Sequence, residues 1–238
     1  MTLRPWILAL LLLAAGAIGG AVVLAGQALR PAPAAGDVRG YLMAHPEVIP
    51  EAIQVLQERE TGKLVAANRA AVTTPFPGAV GGNPAGDVTI VTYMDYACGF
   101  CRASLPDLAK LVGEDAKVRV VYRELPILSA ESRDAAAWAL AAAEQGKYMP
   151  FHTALFAAGR PNAASIAQAA NAAGLDLARA RTAIASPAVA TELSRNLDMA
   201  RALGMTGTPA WVIGDRILSG AVGHDALQKA VAAARAAR

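Results

Sequence analysis

Two cysteines, Cys98 and Cys101, lie between a strand-like run and a helix-like run of the sequence. Val88 to Met94 (VTIVTYM) is rich in β-branched residues and carries no charge, which is typical of a strand buried on both faces of a sheet. Arg102 to Val112 follows with the pattern of a helix. The thiols are therefore expected at a helix N-terminus, where free N–H groups and the helix dipole favour a thiolate. We expect Cys98, nearer the strand and more exposed, to attack disulfides, and Cys101 to resolve the mixed disulfide.

The remaining pattern predicts an α/β domain. Further strands are expected at Val118 to Tyr122 (continuing toward Glu124), Ala210 to Ile213 and Ile217 to Gly220, and a final helix at His224 to about Ala234. The alanine-rich stretch of about 129–203 predicts helices at Ala135 to Ala143, Ile166 to Ala173, Leu177 to Ile184 and Val189 to Leu203. This order predicts a βαβ unit joined to a hairpin and a capping helix, with a helical subdomain inserted between the halves.

Composition excludes several classes of protein. The chain is 55% hydrophobic and 17% charged, the opposite of a disordered sequence. The net charge is only +3 and the basic residues are scattered, so the sequence has no basic cluster of the kind that binds nucleic acid. With only two cysteines, the chain is neither a disulfide-rich scaffold nor a zinc ribbon. The three histidines have no further ligand at a metal-binding spacing. We therefore expect no metal and no cofactor. A periplasmic protein that binds copper or zinc through its thiols is kept as the alternative from another class.

The amino-terminal segment is expected to export the rest of the chain. Residues 5–29 carry no charge, between Arg4 and Arg30, and the run is longer than a usual signal-peptide core and long enough to span a bilayer. Residues 1–29 are therefore predicted to be a signal peptide or an inner-membrane anchor, and 30–36 a linker. Both alternatives place the folded part in a bacterial periplasm.

The next segment, 37–72, is predicted to be a helical stalk. Ile49, Ile53 and Leu56 form one apolar stripe, which either packs on the main domain or makes a homo-oligomer. Residues 73–86 are dense in Pro and Gly and predict a loop, and 87–238 form the main domain.

Other side chains near the cysteines have candidate roles. The proline of Gly207-Thr208-Pro209 precedes a strand, where a cis bond would fix a tight turn that offers the Thr208 backbone to an extended substrate, although an ordinary trans loop has the same sequence. Asp95 is expected to oppose thiolate formation, relay a proton to Cys101, or act as an exposed strand-end cap. Glu124 is given the same alternatives.

Three aromatic residues near the cysteines also have two possible interpretations. Tyr96, Phe100 and Trp211 are expected to form either an apolar rim for unfolded substrates or part of the core.

The motifs DYACGFCR and GTPAWVIGDRILSG together resemble the DsbA family of thioredoxin-fold thiol-disulfide oxidoreductases. The resemblance covers about 81–238. It implies a thioredoxin fold with an inserted helical subdomain, Cys98 as nucleophile, Cys101 as resolving thiol, and a cis-proline at Pro209 preceded by Thr208. It also implies that the partners are cysteine-containing exported proteins and a membrane redox protein. The segment YLMAHPEVIPEAIQVLQERE is similar to suppressor-of-copper-sensitivity C and Com1-like proteins, some of which trimerise through this region.

The dipeptide between the cysteines departs from the strongly oxidising members of that family. Those members carry Pro-His, whereas this chain carries Gly99-Phe100, and phenylalanine supplies no charge to stabilise the thiolate. We therefore expect a less oxidising disulfide, and an isomerase or reductase role at least as much as an oxidase role.

Overall fold

The computed structural model describes residues 35–237, with side chains from Val38 onward. The described residues divide into two compact units, one that ends at Val55 and one that begins at Leu56. Helix α1 is Ala35–Ala44 and helix α2 is Val48–Ala67. The predicted leader lies outside the described residues, and the last two residues of the predicted linker begin α1. Within the described part of the chain, no helix has the length and apolar character needed to cross a membrane.

The segment expected to be a loop contains a short strand. Helix α3 (Arg69–Thr73) precedes it, and strand β1 (Val80–Gly82) pairs antiparallel with the later strand at Val118–Glu124. Gly82 has φ +63°, and a Cβ at this position would lie 2.5 Å from the Val118 carbonyl oxygen. Only glycine fits this close approach of two backbones.

The central sheet has the order β1-β3-β2-β4-β5. Its other elements are β2 (Val88–Met94), α4 (Gly99–Glu114), β3 (Val118–Glu124), β4 (Ala210–Ile213) and β5 (Arg216–Ser219). β2 pairs parallel with β3 and antiparallel with β4, so both of its edges are occupied. Six of the seven residues of β2 are buried, which explains its uncharged sequence. The βαβ unit and the late hairpin agree with the sequence prediction.

Five helices separate β3 from β4, and one follows β5. They are α5 (Ala130–Ala143), α6 (Tyr148–Ala157), α7 (Ala163–Ala172), α8 (Leu177–Ile184), α9 (Pro187–Ala202) and α10 (His224–Ala236). Helix α6 was not predicted. α5 is buried along most of its length, and its alanine side chains let neighbouring helices approach closely.

The end of β3 is anchored by a buried arginine. The Arg123 guanidinium contacts Glu192 of α9 at 2.5 Å and donates to the Ala71 carbonyl at 2.6 Å. Asn196 of α9 accepts from Arg123 and donates to the Glu124 carbonyl at 3.1 Å. These bonds fix where the chain leaves β3, beside the turn that follows β2.

Candidate active site

The two thiols lie at the N-terminus of α4. Cys98 is the N-cap residue, and its Sγ accepts a hydrogen bond from the Cys101 backbone N–H at 3.2 Å. Both cysteines are free. Cys98 is 4% exposed and Cys101 is 0% exposed, so Cys98 is the more accessible residue, as expected, but by a small margin. An anionic sulfur at Cys98 would lie where the helix presents its unpaired N–H groups.

Cys101 is held in its protonated form by its surroundings. Burial is the largest influence and raises the pKa of the Cys101 thiol far above its ordinary value. The neighbouring Cys98 side chain raises it further. Cys101 therefore stays a thiol until a reaction at Cys98 changes the site, which suits a resolving thiol and not a first nucleophile.

The segment before β4 reaches the same site. The Thr208–Pro209 peptide bond is cis, as the family resemblance implies. The Cys98 thiol donates to the Thr208 carbonyl oxygen at 3.2 Å. Cys98 and Cys101 are thus brought together with Thr208 and Pro209, although Cys98 and Thr208 are 110 positions apart in the sequence.

The expected aromatic rim is only partly formed. Phe100 is 69% exposed, whereas Tyr96 and Trp211 are buried. Trp211 donates its indole N–H to the Gly220 carbonyl oxygen at 3.0 Å, which fixes it in the core. Of the two interpretations of these residues, the core one is correct for Tyr96 and Trp211.

Asp95 is buried, so the interpretation as an exposed strand-end cap is wrong. Its Oδ1 accepts from the Ala97 N–H at 2.8 Å and from the Ser132 hydroxyl at 2.6 Å. Its Oδ2 accepts from the N–H groups of Ile127 at 2.9 Å and Leu128 at 3.0 Å. Neither thiol is among these partners.

Glu124 lies in a buried polar cluster with Tyr96, Tyr148 and His152, which we call the Glu124 cluster. Tyr148 donates to the Glu124 carboxyl at 2.7 Å, and the Tyr96 hydroxyl is 3.4 Å from the same oxygen and 3.0 Å from His152 Nδ1. Burial raises the pKa of Glu124 to about 8 and lowers the pKa of His152 to about 3. At pH 7 the Glu124 carboxyl is therefore mostly protonated, and the imidazole is neutral.

Sequence reasoning did not assign Tyr148 and His152 to this cluster. Both lie on α6 at a spacing of four residues, with Phe151, Leu155 and Phe156 on the same buried side. That helical spacing is the signal that could have found them.

The described residues contain no group of three or more His, Cys, Asp or Glu side chains able to hold a metal ion. The copper or zinc alternative therefore gains no ligand set from this part of the chain.

Two family models match the chain. The model described as "DSBA-like thioredoxin domain" matches residues 89–232, which is more than half of the chain. The model described as "Copper resistance protein ScsC N-terminal domain" matches residues 38–61.

Solved structures extend these matches. A thioredoxin-like oxidoreductase from Silicibacter pomeroyi DSS-3 has 40% sequence identity and a TM-score of 0.69, covering 72% of this chain and 99% of that one. A linker-deletion mutant of ScsC from Proteus mirabilis has 29% identity and a TM-score of 0.68, covering 84% of this chain and 92% of that one. These similarities confirm the predicted thioredoxin-like α/β fold.

The matched curated relatives are longer than the region they share with this chain. A Na(+)/H(+) antiporter, NhaA 3 of Salinispora tropica, is 33% identical over 152 residues, which is 62% of this chain and 23% of the antiporter. The chain thus spans about a quarter of the length of the curated relatives it matches.

Proposed function

Because the chain belongs to the DSBA-like thioredoxin domain family, we propose that it is an exported thiol-disulfide oxidoreductase acting on cysteine-containing proteins. The observation that carries this proposal is the position of Cys98. Its sulfur caps α4, contacts the Thr208 carbonyl beside Pro209, and has the protonated Cys101 thiol one helical turn away.

The proposed reaction uses both sulfurs in turn. The Cys98 thiolate attacks one sulfur of a substrate disulfide, that S–S bond breaks, and the leaving sulfur departs as a thiolate that takes a proton from solvent. Cys101 then loses its proton and attacks Cys98 Sγ, which releases the substrate sulfur. Two electrons pass from the enzyme dithiol to the substrate disulfide, and the reverse sequence oxidises a substrate dithiol.

The direction of exchange follows from the dipeptide. Phe100 is exposed and uncharged, and Gly99 adds no side chain, so neither stabilises a thiolate at Cys98 by charge. The disulfide is then less oxidising than in members with a charged dipeptide, and the reduced form suits an isomerase or a reductase.

The reduction potential of the Cys98–Cys101 pair tests this directly. We expect a value more negative than about −150 mV, against about −120 mV for the strongly oxidising members. The measurement is equilibration with glutathione buffers followed by alkylation and mass spectrometry. Phe100→His should move the potential toward more oxidising values, and a wild-type value near −120 mV would refute the proposed direction.

The segment before the catalytic domain supports an oligomeric isomerase. In the first unit, apolar side chains are exposed on both helices, among them Tyr41, Met43, Ile49 and Ile53. A group of large apolar side chains that are exposed on neighbouring helices is typical of an interaction surface. The proposed occupant is a second copy of the same segment, which would set several redox sites around one misfolded substrate.

The oligomeric state tests this second point. In the full chain, Ile49→Ser with Ile53→Ser should convert the oligomer to a monomer in light scattering, since the burial of two large apolar side chains is lost at every contact. Glu51→Ser, an exposed change on the same helix, is the control and should leave the mass as it is. A monomeric wild-type chain, or equal masses for wild type and the double variant, would exclude self-association here.

Export and the redox partner complete the proposal. The uncharged run 5–29 between Arg4 and Arg30 supports delivery to the periplasm, by a cleaved signal or an inner-membrane anchor. A membrane redox protein would restore the working redox state of the cysteines. No observation on the described residues favours the copper or zinc alternative.

A further inference from the structure

Residues 95–98, which we call the redox turn, are held by both the backbone and the side chain of Asp95. The Asp95 backbone carbonyl accepts from the Cys98 N–H at 3.0 Å, and its side-chain Oδ1 accepts from the Ala97 N–H at 2.8 Å. An aspartate that bonds to the N–H two residues further on forms an Asx turn, which fixes the local backbone. Cys98 therefore leaves this turn with the extended backbone of an N-cap residue, φ −82° and ψ 114°.

The same carboxylate also receives hydrogen bonds from the start of the helical insertion, α5 to α9. The Ser132 hydroxyl of α5 donates to Asp95 Oδ1 at 2.6 Å. Ser132 is itself fixed, because it is buried and its backbone N–H donates to Oγ of Ser129, the N-cap residue of α5, at 3.1 Å. The backbone N–H groups of Ile127 and Leu128, which lead into α5, donate to Asp95 Oδ2. One carboxylate thus joins the N-terminus of α5 to the redox turn.

The burial of Asp95 depends on all of these bonds. The residue is 1% exposed, and a buried carboxylate is unfavourable unless hydrogen bonds replace the water it has lost. Its four donors belong to the redox turn, to the segment after β3 and to α5. When one donor is removed, the carboxylate should shift toward other donors and take the backbone of the redox turn with it.

The conformation of the redox turn affects the stability of the reduced site. Cys98 Sγ accepts from the Cys101 N–H at 3.2 Å only while Cys98 stays at the N-cap of α4. A hydrogen bond to an anionic acceptor is stronger than one to a neutral acceptor, so this bond favours a thiolate at Cys98. Because a stabilised thiolate stabilises the reduced form, loosening the redox turn should make the disulfide less oxidising.

We propose that Asp95 is a positioning residue through which the helical insertion, by way of Ser132, holds the redox turn in the conformation that stabilises reduced Cys98. This role rests on the thiol-disulfide exchange proposed above and adds a structural control of its direction. The insertion then sets how oxidising the disulfide is, in addition to the Gly99-Phe100 dipeptide. Asp95 acts through the backbone, since none of the donors to its carboxylate is a cysteine.

The sign of the change in Asp95→Asn distinguishes positioning from a charge effect. Removing a negative charge three residues before Cys98 would by itself favour a thiolate and make the disulfide more oxidising. Asparagine also turns an NH₂ group toward the donors on one side of the carboxylate, which frees either the redox turn or the segment after β3. We expect the second effect to dominate, so the disulfide of Asp95→Asn should be less oxidising than that of wild type.

The test is the equilibrium constant for oxidation of glutathione by the disulfide of the full chain, measured by alkylation and mass spectrometry. In Asp95→Asn, and separately in Ser132→Ala, this constant should fall about tenfold, as expected when a hydrogen bond to a charged group is lost. A tenfold change corresponds to about 30 mV for this two-electron couple. Ser132→Ala keeps the Asp95 charge and a small side chain, and it decides the question if Asp95→Asn does not fold.

Ser165→Ala is the matched control. Ser165 is a buried serine at the third position of α7, as Ser132 is of α5, and its hydroxyl accepts from the Asn162 N–H and donates to the Arg160 carbonyl. This variant should lose thermal stability much as Ser132→Ala does, but its equilibrium constant should equal that of wild type.

Three results would overturn the positioning role. They are a more oxidising disulfide in Asp95→Asn, an unchanged constant in Ser132→Ala, and a fall in Ser165→Ala equal to that in Ser132→Ala. A wild-type chain that does not exchange with glutathione would instead refute the proposed function.

Discussion

Cys98→Ser should reduce the turnover of a scrambled-disulfide protein to the rate measured without enzyme. A serine hydroxyl does not form the anionic sulfur that attacks a disulfide, and it cannot carry a mixed disulfide. The fold should survive, because serine is a favoured N-cap residue and can accept from the Cys101 N–H as the cysteine does. Recovery of active substrate protein with time is the measurement.

The same variant separates the enzyme from a metal-binding protein. If the thiols serve as soft ligands, Cys98→Ser should lose copper or zinc uptake. The enzyme account requires loss of turnover with metal uptake unchanged. Retained turnover in Cys98→Ser would contradict it.

The stability of the protein should fall as the pH rises from 6.5 to 8, through ionisation of Glu124. The pKa of this carboxyl is about 8 in the fold, against an ordinary value of 4.5, so between those values the folded state binds more protons than the unfolded state. Its stabilising contribution is complete below pH 4.5 and is lost as the pH rises through 8. The ionisation of His152 changes the free energy of unfolding in the opposite direction, because burial lowers its pKa from 6.5 to about 3. This effect belongs to the pH range below 6.5.

The expected loss between pH 6.5 and 8 is about 1.5 kcal/mol of the free energy of unfolding, measured by denaturant titration. Glu124→Gln, which keeps the hydrogen-bonding shape without an ionisable proton, should flatten the pH dependence. Glu144→Gln, an exposed change at the end of α5, is the control and should retain the wild-type slope. A wild-type slope that persists in Glu124→Gln would show that another group titrates.

Local patterns predicted four of the five strands of the sheet and most helices. β2, β4 and α8 begin and end at the predicted residues, because β-branched runs and helix caps act over short distances. β1 was missed, since it is a strand of three residues in a Pro- and Gly-rich segment and exists only by pairing with β3. α6 was not predicted; Pro150 lies in its first turn, where a proline is tolerated.

The candidate site was predictable in its sulfurs and its proline, but not in what surrounds them. The CxxC motif and Pro209 carry their own sequence signals. The burial of Asp95, by contrast, depends on the segment after β3, and its bonds to Ile127 and Leu128 join residues more than thirty positions apart. Such contacts are set by the register of β2 against β3, which no local pattern shows.

The most direct measurement of the central claim is the mass of the covalent intermediate. Cys101→Ala removes the resolving sulfur from a buried position without introducing a polar group, so exchange should stop after the first step. With a single-disulfide substrate protein, the account predicts one adduct whose peptide map places the mixed disulfide on Cys98. The absence of an adduct, or an equal adduct in Cys98→Ser carrying a free Cys101, would contradict the assignment of Cys98 as the nucleophile.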